Sequence, residues 1–270
     1  MGRIADTFAR RAAENRQLLI PYLVAGDPDL ETSLSVMHEM VAAGADLIEL
    51  GVPFTDPEAE GPVIQLGHER ALKHNVSLRD TLSLVSRFRE KNVQTPVILM
   101  GYVNPIDAMG YETFASMAAD CGVDGTLIVN LPPEEGAELN TAMIAKGLDA
   151  IYLLSPTTTD KRAAYICSEA HGFVYYVSLK GTTGASTINF DDVEARVAHL
   201  RQFSNVPMVV GFGIKDGASA ARVARFADGS VVGTAVVDIF AAHQGEPELI
   251  APKVAALLRD MREQMDAQAS

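Results

Sequence analysis

The sequence is poor in cysteine and lacks long apolar segments. Only Cys121 and Cys167 occur among 270 residues, too few for a disulfide framework, so we expect two free thiols in a reducing compartment. No apolar run approaches the roughly 18–20 residues of a membrane-spanning helix. The first residues, MGRIADTFARRAAENRQ, are charged and amphipathic and contain no apolar signal core. We therefore expect a soluble, cytoplasmic protein that does not interact with membranes.

Basic residues are scarce relative to acidic ones. The chain has 22 Lys and Arg against 35 Asp and Glu, which gives a formal net charge of −13. Nucleic acids and anionic membrane surfaces select basic patches. Neither is therefore expected as a partner.

Short apolar runs with strand-like composition alternate with segments of helical apolar spacing along the whole chain. Eight such runs occur, at 18–24, 46–50, 95–101, 125–129, 150–154, 173–178, 206–211 and 229–233. Helices are predicted at 30–43, 79–91, 111–120, 134–146, 160–170, 190–203, 216–226 and 247–266, and several begin at the cap-like residues Asp29, Ser77, Asp160 and Asn189. Eight strand–helix units predict an α/β fold, a single (β/α)8 TIM barrel over residues 1–270 with an extra N-terminal helix at 2–15.

A doubly wound open sheet is the competing architecture. It would carry a G-x-G-x-x-G fingerprint after its first strand, and the sequence there is VAGDPD. The barrel is therefore the favoured fold. In a TIM barrel the active groups lie at the carboxyl ends of the strands and in the loops that follow.

The segment LIELGVPFTDPEAEGPVIQ places acidic side chains at such a strand end. Strand side chains alternate between faces, so Leu47 and Glu49 should face the interior if Ile48 and Leu50 face the helices. An ionised carboxylate buried there costs several kcal/mol unless it is paired or takes up a proton. Glu49 is therefore a candidate acid/base, with Glu60 as a second acid in the loop. The alternative is a structural Glu satisfied by an internal hydrogen bond or ion pair.

Glycine-rich turns follow three late strands, in SLKGTTGAS, GFGIKDG and VGTAVVD. Glycine lets backbone N–H groups approach an anion closely, and a helix N-terminus adds a favourable dipole. Because TIM barrels recurrently bind phosphate beside strands 7 and 8, these turns predict a phosphate site, with plain turns as the alternative. Lys180 and Lys215 are interpreted as solvated loop lysines and are left out of the site.

Residue types that other barrel chemistries require are missing from the strand ends. None of the six histidines sits there, no His pair or Cys cluster has metal-ligand spacing, and no Lys lies within a strand. A catalytic metal and a Schiff-base aldolase are therefore not expected. Tyr102 and Tyr175 remain in the predicted barrel mouth, each either a catalytic hydroxyl or a core aromatic. Tyr175 should face inward if Tyr176 faces the helices.

Taken together, the motifs resemble those of the tryptophan synthase alpha subunit family. The resemblance runs nearly end to end and is carried by PYLVAGDPD, IELGVPFTDPEAEGPVIQ, MGYVNP, SPTTTD, YYVSLKGTTGA, GFGI and ADGSVVGTAVV. It implies a (β/α)8 barrel and a lyase that cleaves indole-3-glycerol phosphate to indole and glyceraldehyde 3-phosphate in tryptophan biosynthesis. It also implies an α2β2 complex with a beta subunit that holds pyridoxal phosphate, and no cofactor in this chain.

The resemblance further implies roles for individual residues. Glu49 matches the principal catalytic acid/base, Glu60 the second catalytic carboxylate, and Tyr175 a tyrosine near that glutamate. The matches to the family's phosphate cradle are Gly184, Gly213, Gly233 and Thr234. Tyr22 and Met100 match positions that line the indole pocket, and Thr183 matches the threonine of the closing loop.

Three positions depart from the family pattern. Glu60 stands where the family usually has the shorter Asp, Asn130 where it often has Asp, and Thr182 where it prefers an aliphatic residue. These departures motivate an alternative, a degenerate alpha subunit kept as an allosteric or structural partner. Another phosphate-binding barrel, such as a sugar-phosphate isomerase or epimerase, is a third hypothesis, but it would want a metal-binding His set or a Lys/His pair at strand ends.

Overall fold

The strands form a barrel that closes on itself. The computed structural model describes residues 2–177, 189–211 and 213–268, and in it eight parallel strands pair in chain order, with the last beside the first. The predicted (β/α)8 architecture is confirmed, and each predicted strand agrees with an observed one to within two residues at either end. The strands are β1 (Leu18–Val24), β2 (Ile48–Gly51), β3 (Val97–Gly101), β4 (Gly125–Ile128), β5 (Asp149–Leu154), β6 (Val174–Val177), β7 (Met208–Gly211) and β8 (Gly229–Val232).

Helices connect the strands and cover the barrel. They are α1 (Arg3–Ala13), α2 (Leu30–Ala42), α3 (Pro62–Leu72), α4 (Leu78–Arg89), α5 (Val103–Met109), α6 (Tyr111–Cys121), α7 (Ala137–Ala145), α8 (Asp160–Glu169), α9 (Phe190–Arg201), α10 (Gly217–Ala224), α11 (Thr234–Ala242) and α12 (Ile250–Asp266). Within the described ranges, no helix has both the length and the apolar character needed to cross a membrane. That residues 1–270 form a single domain remains a prediction.

Three of these helices were not predicted. Helix α3 begins with Pro62 after the acidic loop, has no side-chain cap, and contains Gly67 in its interior, so it lacks the usual signals of a helix start and of a continuous helix. Gly67 packs closely on β1, and a Cβ there would lie 3.2 Å from Val24 Cγ2. Helices α5 and α11 are short second helices within a unit, and α11 was predicted only as a helical turn.

The predicted caps agree with the structure at three of four helices. The side chains of Asp29, Ser77 and Asn189 accept backbone N–H groups of the helices that they precede. For α8 the prediction was one residue late. Thr159 is the cap and accepts the Arg162 N–H, whereas Asp160 is the first helical residue.

Alternation along the strands decides which groups reach the interior. Leu47 and Tyr175 belong to the apolar cluster inside the barrel, whereas Ile48, Leu50 and Tyr176 belong to the cluster under the helices. The predicted facing of β2 and β6 is thus confirmed. Because Glu49 follows Ile48, its side chain shares the inward face with Leu47.

Helix α1 covers the amino-terminal end of the barrel, as predicted. Its Ile4 and Phe8 join the interior cluster, and the Phe8 ring centroid lies 5.7 Å from that of Phe173. Both cysteines are free thiols, as the sequence predicts.

Aspartates that precede strands stabilise the same end. Asp46, which lies just before β2, accepts the Leu19 N–H of β1 at 2.9 Å. Its carboxylate also forms ion pairs with Arg11 and Arg262. Asp124 and Asp228 repeat the arrangement: each accepts the first N–H of the preceding strand and contacts an arginine, Arg89 and Arg201 respectively. The carboxylates thus extend the sheet hydrogen bonding and are neutralised by the covering helices.

Candidate functional site

A cavity of about 530 Å³ opens at the carboxyl ends of the strands. Eight of the ten residues predicted for the site line it: Tyr22, Glu49, Glu60, Met100, Tyr175, Gly213, Gly233 and Thr234. The other two, Thr183 and Gly184, lie outside the described residues. Within the described ranges, no three His, Cys, Asp or Glu side chains converge as a metal ion would require. The structure therefore gathers residues from six strands or their loops around one space.

Glu49 lies in the wall of this cavity and is almost fully buried, with 1% of its surface exposed. Among the described residues, its Oε1 has no hydrogen-bond partner, and no Lys, Arg or His forms an ion pair with it. Burial, together with the smaller effect of the Glu60 charge, raises the pKa of Glu49 to about 8. A structural glutamate would be satisfied by a partner, so this geometry favours a carboxyl that exchanges protons.

Glu60 enters the cavity from the loop between β2 and α3. Its carboxylate accepts a hydrogen bond from the Tyr102 hydroxyl, whose oxygen accepts the Ala59 N–H at 3.1 Å. Burial raises the pKa of Glu60, and the Tyr102 hydrogen bond opposes this shift because it favours the ionised form. Of the two carboxyl groups, Glu60 is therefore the one with a fixed donor that supports its negative charge.

Two tyrosine hydroxyls occupy space left by strand glycines. A Cβ on Gly51 would lie 2.2 Å from the Tyr22 hydroxyl oxygen, and a Cβ on Gly211 would lie 1.9 Å from that of Tyr175. Burial and nearby carboxylates raise the pKa of both phenols well above the ordinary value. Both hydroxyls thus remain protonated donors inside the barrel. The sequence shows both glycines but gives no sign of which side chain needs their space.

Much of the cavity wall is apolar. Met100, Val129, Leu153 and Val231 line it together with Ile64 of α3. An apolar wall with a few placed polar groups suits a planar aromatic ligand. The two carboxyl groups and the two tyrosines are the polar groups of this region.

The opposite part of the cavity carries the late glycine turns. Gly213, in the left-handed region with φ +74°, and Gly233, immediately before α11, both line the cavity, as does Thr234, the first residue of that helix. A helix N-terminus presents unpaired N–H groups and a positive dipole end. Lys215, which the sequence analysis left out, also lines the cavity, so that exclusion does not hold.

Sequence reasoning missed His68 completely. It lies on the unpredicted α3 and is 1% exposed, with Nδ1 3.2 Å from the Phe54 N and Nε2 3.3 Å from the Tyr22 hydroxyl. Its position was readable only after α3 was known, because helical spacing places it on one face with Ile64 and Ala71.

Asn130 lies away from the cavity. Its Oδ1 accepts the Val103 N–H at 2.8 Å, and its Nδ2 donates to Asn104 Oδ1 at 3.2 Å. Its contacts therefore fix the start of α5 after β3. Thr182 lies outside the described residues.

Comparisons with known proteins agree with the fold. The family model described as Tryptophan synthase alpha chain matches residues 8–266. The tryptophan synthase alpha chain of Thioalkalivibrio sulfidiphilus is 53% identical over 266 residues, which are 98% of this chain and 100% of that protein. The crystal structure of tryptophan synthase subunit alpha from Legionella pneumophila str. Paris has a TM-score of 0.92 and 43% identity, with 99% of each chain covered.

A chain in the crystal structure of the tryptophan synthase complex from Pyrococcus furiosus is also similar. Its TM-score is 0.81 at 33% identity, and the match covers 91% of this chain and 98% of that one. The family match covers nearly the whole sequence, and the relatives match it from end to end. The chain therefore belongs to the tryptophan synthase alpha chain family.

Proposed function

We propose that this chain is a carbon–carbon lyase that cleaves indole-3-glycerol phosphate to indole and glyceraldehyde 3-phosphate, with Glu49 as the acid/base. The observation that carries the proposal is the buried Glu49 carboxyl, with a pKa of about 8 and an unpaired Oε1, in the wall of a cavity that has an apolar region and a glycine-lined helix N-terminus. The family's reaction needs these three features together.

The retro-aldol step needs one proton delivered and one removed. Protonated Glu49 gives its proton to C3 of the indole ring, which leaves positive charge on the ring nitrogen. The resulting carboxylate takes the proton of the hydroxyl on the adjacent glycerol carbon. The bond between that carbon and C3 then breaks, its electron pair returns to the indole, and an aldehyde forms. A pKa near the working pH suits a group that serves both as acid and as base.

We assign Glu60 to the indole nitrogen. Its charge, supported by the Tyr102 donor, would accept the ring N–H and stabilise the positive charge that forms when C3 is protonated. Tyr22 and Met100 would line the indole pocket, and Tyr175 would provide a protonated hydroxyl beside Glu49. Thr183 is proposed for loop closure by resemblance alone.

We assign the phosphate to the opposite end. The backbone N–H groups at Gly213, Gly233 and Thr234, together with the α11 dipole, would hold it, and Gly184 is added by resemblance. A phosphate fixed there holds the scissile bond over Glu49, and such positioning can supply a large share of a rate enhancement.

We further propose that the chain works with a beta subunit. The relative from Pyrococcus furiosus is described as a complex, which supports a partner for this chain as well. The α2β2 stoichiometry, pyridoxal phosphate in the beta subunit, the lack of a cofactor in this chain, and a cytoplasmic location are carried by the family resemblance.

The test is indole release from indole-3-glycerol phosphate, measured with and without the beta subunit. Wild type should release indole, and Glu49→Gln should lower kcat by at least about 10²–10⁴-fold while still binding glycerol 3-phosphate. Glu58→Gln, on the exposed part of the acidic loop, is the matched control. Absence of turnover by wild type in the assembled complex would instead support the degenerate alpha subunit.

A further inference from the structure

His68 connects two parts of the site without lining the cavity. It lies in the buried face of α3, and its two ring nitrogens contact groups on different elements. Nδ1 is 3.2 Å from the backbone N of Phe54, at the root of the acidic loop. Nε2 is 3.3 Å from the Tyr22 hydroxyl, which belongs to β1. A core histidine that only fills space would not need both contacts.

The backbone contact determines which nitrogen carries the proton. The Phe54 N–H only donates, so Nδ1 must accept and cannot be protonated. Burial lowers the pKa of His68 to about 4, so the ring is neutral at physiological pH and its single proton is on Nε2. The Nε2–H therefore donates to the oxygen of the Tyr22 hydroxyl.

This contact orients the Tyr22 hydroxyl proton. Because one lone pair of the oxygen is occupied by His68, the O–H bond is directed away from the histidine. The phenol lines the same cavity as Glu60 and Glu49, whose charges raise its pKa, and among the described residues its proton has no acceptor. The proton is thus available to the carboxyl groups or to a ligand between them.

The other contact fixes the acidic loop. Phe54, whose N–H His68 accepts, stacks on Tyr102 with ring centroids 4.8 Å apart. Tyr102 in turn donates to Glu60. Both routes from His68 therefore end at the carboxyl groups of the site.

We propose that His68 is a positioning residue of the lyase site: as a neutral, Nε2-protonated imidazole it orients the Tyr22 hydroxyl toward the two carboxyl groups and anchors the loop that carries Glu60. The expected effect of His68 on kcat rests on the proposed function. The tautomer and its two hydrogen bonds are independent of that function.

The tautomer is tested on the full chain by ¹⁵N NMR of labelled histidine side chains at pH 7.5. The His68 ring, identified among the six histidines by its loss in His68→Asn, should be neutral and protonated at Nε2. Tyr22→Phe should shift the Nε2 resonance of that ring and leave Nδ1 nearly unchanged. The assignment would be overturned if His68 were protonated at Nδ1, or if the Nε2 chemical shift were the same in Tyr22→Phe as in wild type. If His68→Asn folds poorly, Tyr22→Phe, which leaves the α3 sequence intact, identifies the ring instead, because His68 Nε2 is the ring nitrogen in contact with the Tyr22 hydroxyl.

The kinetic role is tested by a double-mutant cycle in indole release. Asn at position 68 can still accept the Phe54 N–H but is too short to reach Tyr22, so His68→Asn removes one of the two contacts. His68→Asn and Tyr22→Phe should each lower kcat by about 3- to 10-fold, with KM changed less than about twofold. The double variant should be no slower than the slower single variant.

The exposed His74, just beyond α3, provides the control His74→Asn, which should match wild type. The positioning role would be overturned if the fold-losses in kcat of the two single variants multiplied in the double variant, or if kcat were unchanged in His68→Asn. If wild type itself released no indole, the proposed reaction would fall, while the NMR result would still decide how His68 is held.

Discussion

Glu49 combines burial with a lack of partners, and both follow from its place in β2. The strand alternation turns it inward beside Leu47, where 1% of its surface is exposed and the described residues offer its Oε1 no donor. Desolvation then favours the neutral acid. The same environment that suits proton exchange must also reduce the stability of the fold when the carboxyl is ionised.

The stability cost gives a prediction for Glu49→Gln. The folded protein holds the Glu49 proton up to a pKa of about 8, against 4.5 for the ordinary group. The folded state therefore binds more protons than the unfolded state between these values, and its stability falls as pH rises from about 4.5 through 8. Gln does not titrate. We expect the free energy of unfolding of the variant, relative to wild type, to increase by about 3–5 kcal/mol between pH 5 and pH 9.

Urea unfolding at the two pH values measures this difference. Glu58→Gln is the control and should change stability by less than about 0.5 kcal/mol at either pH. An equal effect of Glu49→Gln at pH 5 and pH 9 would mean that the carboxyl has an ordinary pKa, and the acid/base assignment would lose its physical basis.

Tyr102 is predicted to keep Glu60 ionised. Its hydroxyl donates to the Glu60 carboxylate and lowers the pKa of that group. In Tyr102→Phe the stacking on Phe54 can persist, but the pKa of Glu60 should rise. The acidic limb of the kcat–pH profile for indole release should therefore move to higher pH. Tyr165→Phe, at a tyrosine 39% exposed, is the control, and an unmoved acidic limb would show that Glu60 does not titrate in catalysis.

At the scale of elements, helices and strands could be predicted from the sequence where a single physical effect, such as burial, determines the residue pattern. The strands were predictable because both of their faces are largely buried, so most of their residues are apolar. Glu49 stood out because a carboxylate is costly on such a strand. Helix α3 was missed because Gly61 and Pro62 begin it without a side-chain cap and Gly67 interrupts its helix-forming sequence.

The contacts that organise the site depend on that missed helix. His68 reaches Tyr22 and the Phe54 backbone only because α3 packs on β1 beneath the loop. Similarly, the extra methylene of Glu60 relative to Asp looked like a misplacement from the sequence, whereas the structure gives the longer side chain a donor in Tyr102. The Tyr102–Glu60 and His68–Tyr22 pairs join residues 42 and 46 positions apart, which local sequence patterns do not encode.

Gly51 links the end of β2 to the indole end of the cavity. A Cβ there would lie 2.2 Å from the Tyr22 hydroxyl oxygen and 2.7 Å from its Cζ, so Gly51→Ala must displace the ring. We expect kcat/KM for indole release to fall by about 10²-fold, since misplacement on the order of 1 Å at a site can cost that much. Gly245→Ala, where a Cβ meets nothing within 4 Å, should behave as wild type. A fully active Gly51→Ala would show that the Tyr22 position is not critical.

At the scale of the whole molecule, the two ends of the barrel differ in their electrostatics. The mouth holds carboxyl groups with raised pKa values, whereas the amino-terminal end holds aspartates paired with arginines and strand N–H groups. In a TIM barrel the residues at the amino-terminal end serve stability, whereas those at the carboxyl ends of the strands serve catalysis.

Asp46 and Asp228 test this division. The Asp46 side chain is fully buried, and Asp46→Asn should lower the free energy of unfolding by about 3–5 kcal/mol, because it removes the buried counter-charge of Arg11 and Arg262. Among the described residues, these arginines then keep only the partly exposed Glu14 and Asp266 as ion-pair partners. The Asp228 side chain is 35% exposed, so Asp228→Asn should lower the free energy of unfolding by only about 0–1 kcal/mol. Chemical denaturation measures both, and kcat for indole release should stay unchanged. A loss of kcat in a folded Asp46→Asn would show that the two ends are coupled.

The Oε1 of Glu49, which has no hydrogen-bond partner among the described residues, also has a consequence for the evolution of this chain. A side chain that destabilises the folded state at neutral pH is easily lost by mutation, since many neutral replacements would make the protein more stable. An alpha subunit that had become only a scaffold would have no reason to retain it. In a lineage that no longer turns over substrate, we therefore expect this glutamate to be among the first of the proposed active-site residues to disappear.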